Sequence, residues 1–468
     1  MRILAAMVAL ACAVASVHAQ TTASDDINRR AIERRAAEAV NWGIAAVNYD
    51  LMLQQMLTKT DGKVNQFVYW SRPLDWRNQT LTPNPDAIYF MAFFDTKDAG
   101  PIVVEVPPAS DGGSLNANFV DVWQAPLEDA GLYGVDKGKG VKFLIVPPGY
   151  SKAIPAGYTP LRPATFGSYA LLRSNLKSHG ADDVAKSVAY GMRAKVYPLS
   201  QAAKPPATKF TDAADVLYDS TIKYDASFFT SLDRVVQKEP WQPRDRAMID
   251  WLRTLGIEKG KPFNPDAKTR AALDAGAREA QMWLEAKYDA GLGPFYPGGR
   301  WTVPAMPELL DAVKVDFSDP DEYPVDARGL TYSFAYIGIK RLGAGQFYLI
   351  SIRDKNGNAL NGGSNYRMNV PANPPIEQYW SVTVYDRATH ALVRDMSRAS
   401  RSSQIPEMQR NPDGSVDVYF GPAPPAGKES NWIPTKPGRG FEVMFRAYAP
   451  TKAFFDRGWV LSDIEKVS

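Results

Sequence analysis

From residue 360 to its end the chain keeps one texture: short runs in which apolar and polar residues alternate, each cut off by asparagine, glycine or proline. Val416-Asp417-Val418 and Phe441-Glu442-Val443-Met444-Phe445-Arg446 are examples. A period of two sends successive side chains to opposite faces of a strand, so each run can bury one face before it turns. Asn356-Gly357 and Asp413-Gly414 are hairpin dipeptides, since both accept the positive φ of tight turns. Regularly spaced strands with no helical period between them predict a sandwich or jelly roll over residues 331–468. Its strands are expected at 332–340, 346–353, 380–385, 416–420 and 441–448.

The same texture occurs earlier, at 67–70, 87–95, 102–106, 119–124 and 142–146, where branched and aromatic residues are bounded by turns. Pro107-Pro108 and Pro147-Pro148 end two of these runs, because proline cannot donate to a strand ladder. Ahead of them Ile32, Ala36, Val40, Ile44, Val47 and Leu51 recur at helical steps, predicting a helix over 25–57. The middle is helical too. Asn264-Pro265-Asp266 is a helix start, and Leu273, Ala277, Ala280, Leu284 and Tyr288 line one face until Gly291. The expected class is α+β: two mainly antiparallel β domains with a helical segment packed between them. The expected division is a leader at 1–19, an N-terminal helix and β domain at 20–178, a helical segment at 179–330 and the C-terminal domain from 331.

Arg2, an apolar run to Val17 and the small-residue ending Val17-His18-Ala19 have the form of a signal peptide, with cleavage expected after Ala19. That predicts a periplasmic or secreted protein. The apolar run is too short to span a bilayer, and no later segment is long enough. Cys12, the one cysteine, would leave with the leader, along with His18. Thiol nucleophiles, iron–sulfur clusters and cysteine zinc sites are then excluded, and no metal or other cofactor is expected. The balance of 54 basic and 51 acidic residues argues against a nucleic-acid partner.

No nucleophile elbow, phosphate loop, dinucleotide fingerprint or paired helical histidines occur. Ser174-Asn175-Leu176-Lys177 matches Ser-x-x-Lys by itself, without the accompanying motifs. Asp354-Lys355-Asn356-Gly357-Asn358 opens like a calcium loop, but Ala359 stands where that loop needs glycine. Carboxylate, tyrosine and arginine chemistry remains. Tyr69, Arg72, Trp76, Asn84, Asp86, Tyr89, Asp121 and Trp123 fall in short windows of the first β domain. Asp86 and Asp121 facing one cleft would serve as general acid and base, with Tyr69 and Tyr89 as proton donors or stackers. Trp76, Asn84 and Trp123 would contact the ligand, and Arg72 or Arg173 would anchor an anionic group. The structural alternative for Asn84 and Asp86 is turn capping beside prolines. Arg446, out of phase with Phe441, Val443 and Phe445, faces either solvent or a second buried surface.

These blocks resemble a large, mostly bacterial, exported family with an N-terminal domain of unknown function numbered twelve-fifty-four and a C-terminal one numbered twelve-fourteen. The first likeness rests on Thr82-Pro83-Asn84-Pro85-Asp86, Tyr89, Glu105-Val106-Pro107-Pro108, Asp121, Pro147-Pro148-Gly149 and Arg173. The second rests on Asn361-Gly362, Asn365-Tyr366, Trp380-Ser381, Tyr385-Asp386, Asn431-Trp432 and Arg446 with Tyr448. The resemblance implies two β domains and export, and carries no reaction. The residues themselves leave two readings: a hydrolase or lyase acting on a small polar or carbohydrate-like molecule, or a non-catalytic binding protein for such a ligand.

Overall fold

The computed structural model describes residues 2–335 and 338–467, with side chains from residue 24 onward. The side chains of the expected leader therefore lie outside the described residues. The architecture is α+β, with several mainly antiparallel sheets, none closed, and helices between the two β regions.

The first helix, Arg2–Lys59, is the axis of the molecule and contains the segment expected to be helical. Its residues 39–50 are buried on every side, the mark of a helix surrounded by protein rather than lying on a surface. Small residues permit close crossings. A Cβ added to Gly276, on the helix Ala267–Ala290, would sit 2.5 Å from the Glu33 carbonyl oxygen. Two polar residues in this stretch reach across to neighbouring helices: Asp50 pairs with Arg234, and Asn41 donates to Asp326 at 2.7 Å. Asp266 caps the crossing helix by accepting from the Thr269 N–H at 2.7 Å, and Gly291 ends it at φ 92.

The N-terminal β region has two main sheets, beside a two-stranded one that pairs Asn78–Gln79 with Tyr218–Asp219. The six-stranded one runs, in spatial order, Phe210–Asp212, Phe67–Tyr69, Ala87–Asp95, Gly167–Asn175, Leu115–Asp121 and Pro126–Gly131. The four-stranded one runs Lys195–Pro198, Ile102–Val106, Val141–Ile145 and Thr159–Leu161. Ile88, Phe90, Ala92 and Phe94 pack into the core between these sheets, while Ala87, Tyr89, Met91 and Phe93 pack toward the helices. Burial on both faces explains why this strand is apolar without a break.

Two expectations are corrected. Strands Lys195–Pro198 and Phe210–Asp212 join the N-terminal sheets, so that β region runs past 178. The helix Ala181–Gly191 packs on the first sheet and returns the chain to its edges. Residues 332–334 of the strand expected at 332–340 are instead the end of a helix, Val325–Phe334, whose residues from Ala327 on are all buried, and positions 336–337 of that span lie outside the described residues. A short apolar run reads the same whether it is a buried helix or a buried strand.

The C-terminal region is a two-sheet sandwich. Gln346–Ser351, Phe441–Pro450, Ile376–Asp386 and Ser400–Ser402 form one sheet; Trp432–Pro434, Val416–Gly421, Asn365–Val370 and Glu465–Val467 form the other. Trp380, Val382, Val384, Val443, Phe445 and Ala447 fill the space between them. The alternate residues Tyr379, Tyr385, Met444 and Tyr448 turn the other way and join the core built around the first helix. Among the described residues no helix is long and apolar enough to cross a membrane.

Candidate functional site

Where the C-terminal sheet that contains Phe441–Pro450 and the six-stranded N-terminal sheet both turn their faces toward the core around the first helix, they leave a hollow. Its wall is built from Asn84, Tyr89 and Arg173 on one side and Tyr348, Met444 and Arg446 on the other, with Asn48 and Met52 of the first helix at its base. It leaves about 30 Å³ for the centre of a water-sized sphere, enough for one or two waters.

Arg446 is the central group, 2 % exposed. Its Nη1 donates to Thr383 Oγ1 at 2.8 Å, and its Nη2 to the Thr82 carbonyl at 2.8 Å and to the Tyr385 hydroxyl. Each of those acceptors is neutral. Among the described residues no carboxylate is within ion-pair distance of Arg446. The guanidinium also lies 5.4 Å from the Tyr348 ring and 5.6 Å from that of Tyr385. A guanidinium does not shed its proton in a protein, so a full positive charge is held here without an acidic partner beside it.

Arg173 supplies a second buried charge. It donates to Asn118 Oδ1 and lies 5.8 Å from the Tyr89 ring. Register fixes the pairing, because Tyr89 and Arg173 are direct partners across neighbouring strands. Asn84 joins the walls. Its backbone N–H donates to the Tyr89 hydroxyl at 2.7 Å, while its Nδ2 donates to the hydroxyls of Tyr448 at 2.9 Å and Tyr379 at 3.2 Å. Its Oδ1 accepts from the Asp86 N–H at 3.0 Å, a local turn that presents the amide to the C-terminal sheet. Turn capping and a place in the site are one arrangement at this residue. Tyr379 and Tyr448 stack with centroids 4.4 Å apart. Burial raises the hydroxyls of Tyr348, Tyr379 and Tyr385 above the ordinary tyrosine range, so they are neutral donors and acceptors near pH 7.

Asp86 stands behind Asn84 and is fully buried. Ser400 donates to its Oδ1 at 3.0 Å, and His179 Nε2 is 3.7 Å from the same oxygen. Oδ2 makes no hydrogen bond among the described residues. Burial raises its pKa, opposed by His179, Ser400 and Arg446. The loop carrying His179 is held by Asp183, whose Oδ2 accepts from the N–H groups of Lys177 and Ser178 at 2.7 and 2.8 Å.

Asp121 does not meet Asp86. The two lie toward opposite ends of the sheet: Asp121 is opposite Ser168, whereas Ala87, next to Asp86, is opposite Asn175. Seven residues of strand separate those positions, roughly 24 Å at about 3.4 Å per residue. Asp121 instead accepts from the Ala125 N–H at 2.9 Å, and its pKa is raised by burial. Trp123, beside it, packs on Trp42 with centroids 4.6 Å apart. Tyr69 belongs to the opposite face of the sheet, stacked on Phe90 at 5.4 Å. Arg72 pairs with Asp215 at 2.8 Å on the surface, and Trp76 lies half-buried under Arg77. Of the expected site residues the hollow therefore gathers Asn84, Tyr89 and Arg173, with Asp86 just behind, and leaves out Asp121, Tyr69, Arg72, Trp76 and Trp123.

Other sequence candidates are locally engaged. Ser174 is buried and bonds the Ser187 carbonyl at 2.8 Å, and Asp354 Oδ1 accepts from the N–H groups of Asn356 and Asn358 at 2.9 Å. His390 is far from His179 in its contacts: it sits 3.0 Å from Glu442 and 3.8 Å from Glu285. Among the described residues no three histidine, cysteine or acidic side chains converge as a metal site. Tyr348, Tyr379 and Tyr448 were missed by the sequence reading; the signal for them was their place on the strand faces opposite the sandwich core.

Two families described only as "Protein of unknown function" match the chain, DUF1254 over residues 64–198 and DUF1214 over residues 345–452. No functionally curated protein matches it. Among solved structures it resembles the VPA0106 protein of Vibrio parahaemolyticus, at 17 % identity and a TM-score of 0.56, over 93 % of this chain and 100 % of that one. An uncharacterised Burkholderia cenocepacia protein is more distant, at 12 % identity and a TM-score of 0.41, over 97 % and 98 % of the two chains. The Vibrio likeness concerns the fold alone. The two matched regions fall on the two β regions whose faces enclose the hollow, and the chain belongs to the family that joins an N-terminal DUF1254 domain to a C-terminal DUF1214 domain.

Proposed function

We propose that this chain binds a small anionic molecule in the hollow between its two β regions. One observation carries the reading: Arg446 is buried with its full charge, yet its hydrogen bonds go only to neutral oxygens. A bound anion would complete the pairing that a buried charge requires. Arg173 adds to the positive potential, and the neutral tyrosines and Asn84 offer hydrogen bonds that orient the ligand. The small volume favours an ion-sized group over a sugar ring. Thermal unfolding with a panel of small anions and neutral analogues tests this. Acetate should raise Tm in a concentration-dependent way, as any ligand of the native state does, and acetamide should not. Equal effects of acetate and acetamide would reject the reading.

Turnover is the second reading, favoured by the free Oδ2 of Asp86 and its raised pKa beside His179. A buried carboxylic acid whose pKa is raised is suited to acid–base work. Any hydrolytic or lyase activity found on an ester and glycan panel should be lost in Asp86→Asn; retained activity removes Asp86 from that role. Export belongs to the same proposal, since a solute-binding or solute-processing protein outside the cytoplasm needs a leader. Sequencing the N-terminus of the protein made with its own leader should begin at Gln20.

A further inference from the structure

The two walls of the hollow change character by the same two-residue step. On the N-terminal sheet Arg173 is opposite Tyr89, and the next pair on that face is Leu171 opposite Met91. On the C-terminal sheet Arg446 is opposite Tyr348, and the next pair is Met444 opposite Ile350. Each wall thus passes from guanidinium and phenol to thioether and alkyl within about 7 Å, the rise of two strand residues. Met52, from the first helix, adds a third methionine to the lining.

We propose that the ligand is a small amphipathic organic acid, its carboxylate at Arg446 and Arg173 and a short aliphatic tail among Met52, Met91, Leu171 and Met444. The inference rests on the anion reading above and names the ligand class for the same site. An inorganic oxyanion would use the charged end and leave the apolar end without a partner. A dicarboxylate or sugar phosphate would place charge or hydroxyls against thioethers and alkyl groups that cannot hydrogen-bond them well. Methionine is unbranched and adapts its shape, so the hollow can widen by side-chain rotation while the two sheets stay in place.

Titration calorimetry on the full chain, with acetate, butyrate, hexanoate and sulfate at one ionic strength, tests this. Affinity should rise about fourfold per methylene, the usual gain for burying one CH₂, until the hollow is filled. Sulfate should bind more weakly than butyrate. Met444→Ser should weaken hexanoate far more than acetate; Met52→Ser makes the same comparison if the first variant does not fold. Affinities independent of chain length, or sulfate equal to butyrate, would overturn the amphipathic assignment and leave the anion site standing. No binding by any of the four would remove both.

Discussion

Asn84 Nδ2 donates to the Tyr448 hydroxyl at 2.9 Å, a bond between residues 364 positions apart in the chain. It fastens a turn of the N-terminal β region to an inner strand of the C-terminal sheet, and the hollow lies beside it. The same side chain accepts from Asp86 and donates to Tyr379, so one amide holds the turn and both tyrosines in register.

Replacing Asn84 by alanine should therefore cost more than a surface change. It strands a buried backbone N–H and two buried hydroxyls, and about 1–3 kcal/mol is usual for leaving such groups unpaired. Urea unfolding of wild type and Asn84→Ala would measure it, and a loss under about 0.5 kcal/mol, the level of ordinary surface substitutions, would show that the joint is held elsewhere.

His390 makes stability depend on pH in the alkaline range. Burial lowers its pKa, but Glu442 and Glu285 outweigh that and raise it from 6.5 to about 9. The folded value lies above the unfolded one. The stabilisation is therefore complete below about pH 6.5 and is lost as pH rises through about 9. Unfolding free energy should fall across that window in the wild type and fall less in His390→Gln. Equal slopes for the two proteins would contradict the assignment.

Asp86 should act with the same sign at lower pH. Its folded pKa is raised, with burial as the largest cause, so the carboxyl favours the fold while protonated and opposes it once ionised. Stability from this group is present below the ordinary aspartate range and declines as pH rises through the raised value. Asp86→Asn should raise Tm at pH 7.5 and leave it little changed at pH 4. A lower Tm at pH 7.5 would mean that the pairing with His179 outweighs the cost of burial.

Much of the architecture was legible in the sequence because alternation and turn dipeptides are local signals. Trp380 and Tyr385, an odd number of residues apart on one strand, face opposite ways, one into the sandwich and one into the central core. Arg446 was correctly placed out of phase with Phe441, Val443 and Phe445. Period two says which residues share a face, but not what covers that face. Only the tertiary packing shows that the N-terminal sheet and the first helix do so, turning Tyr348, Tyr379, Tyr448 and Arg446 inward. The window from Asn84 to Tyr89 was readable as a cluster since its members meet through a turn. Asp121 was not, because nearness in sequence to aromatic residues carries no information about distance along a sheet. Arg72 and Trp76 were drawn in by sequence proximity too, and the chain leaves them at its surface.

The most direct measurement is a crystal of the intact protein soaked in bromide, with anomalous diffraction to locate the ion. A small monoanion is close in size to the one or two waters that the hollow admits, and should give a peak in contact with the Arg446 guanidinium. Bromide on surface lysines and arginines, with the hollow holding only water or nothing, would contradict an anion site between the two β regions.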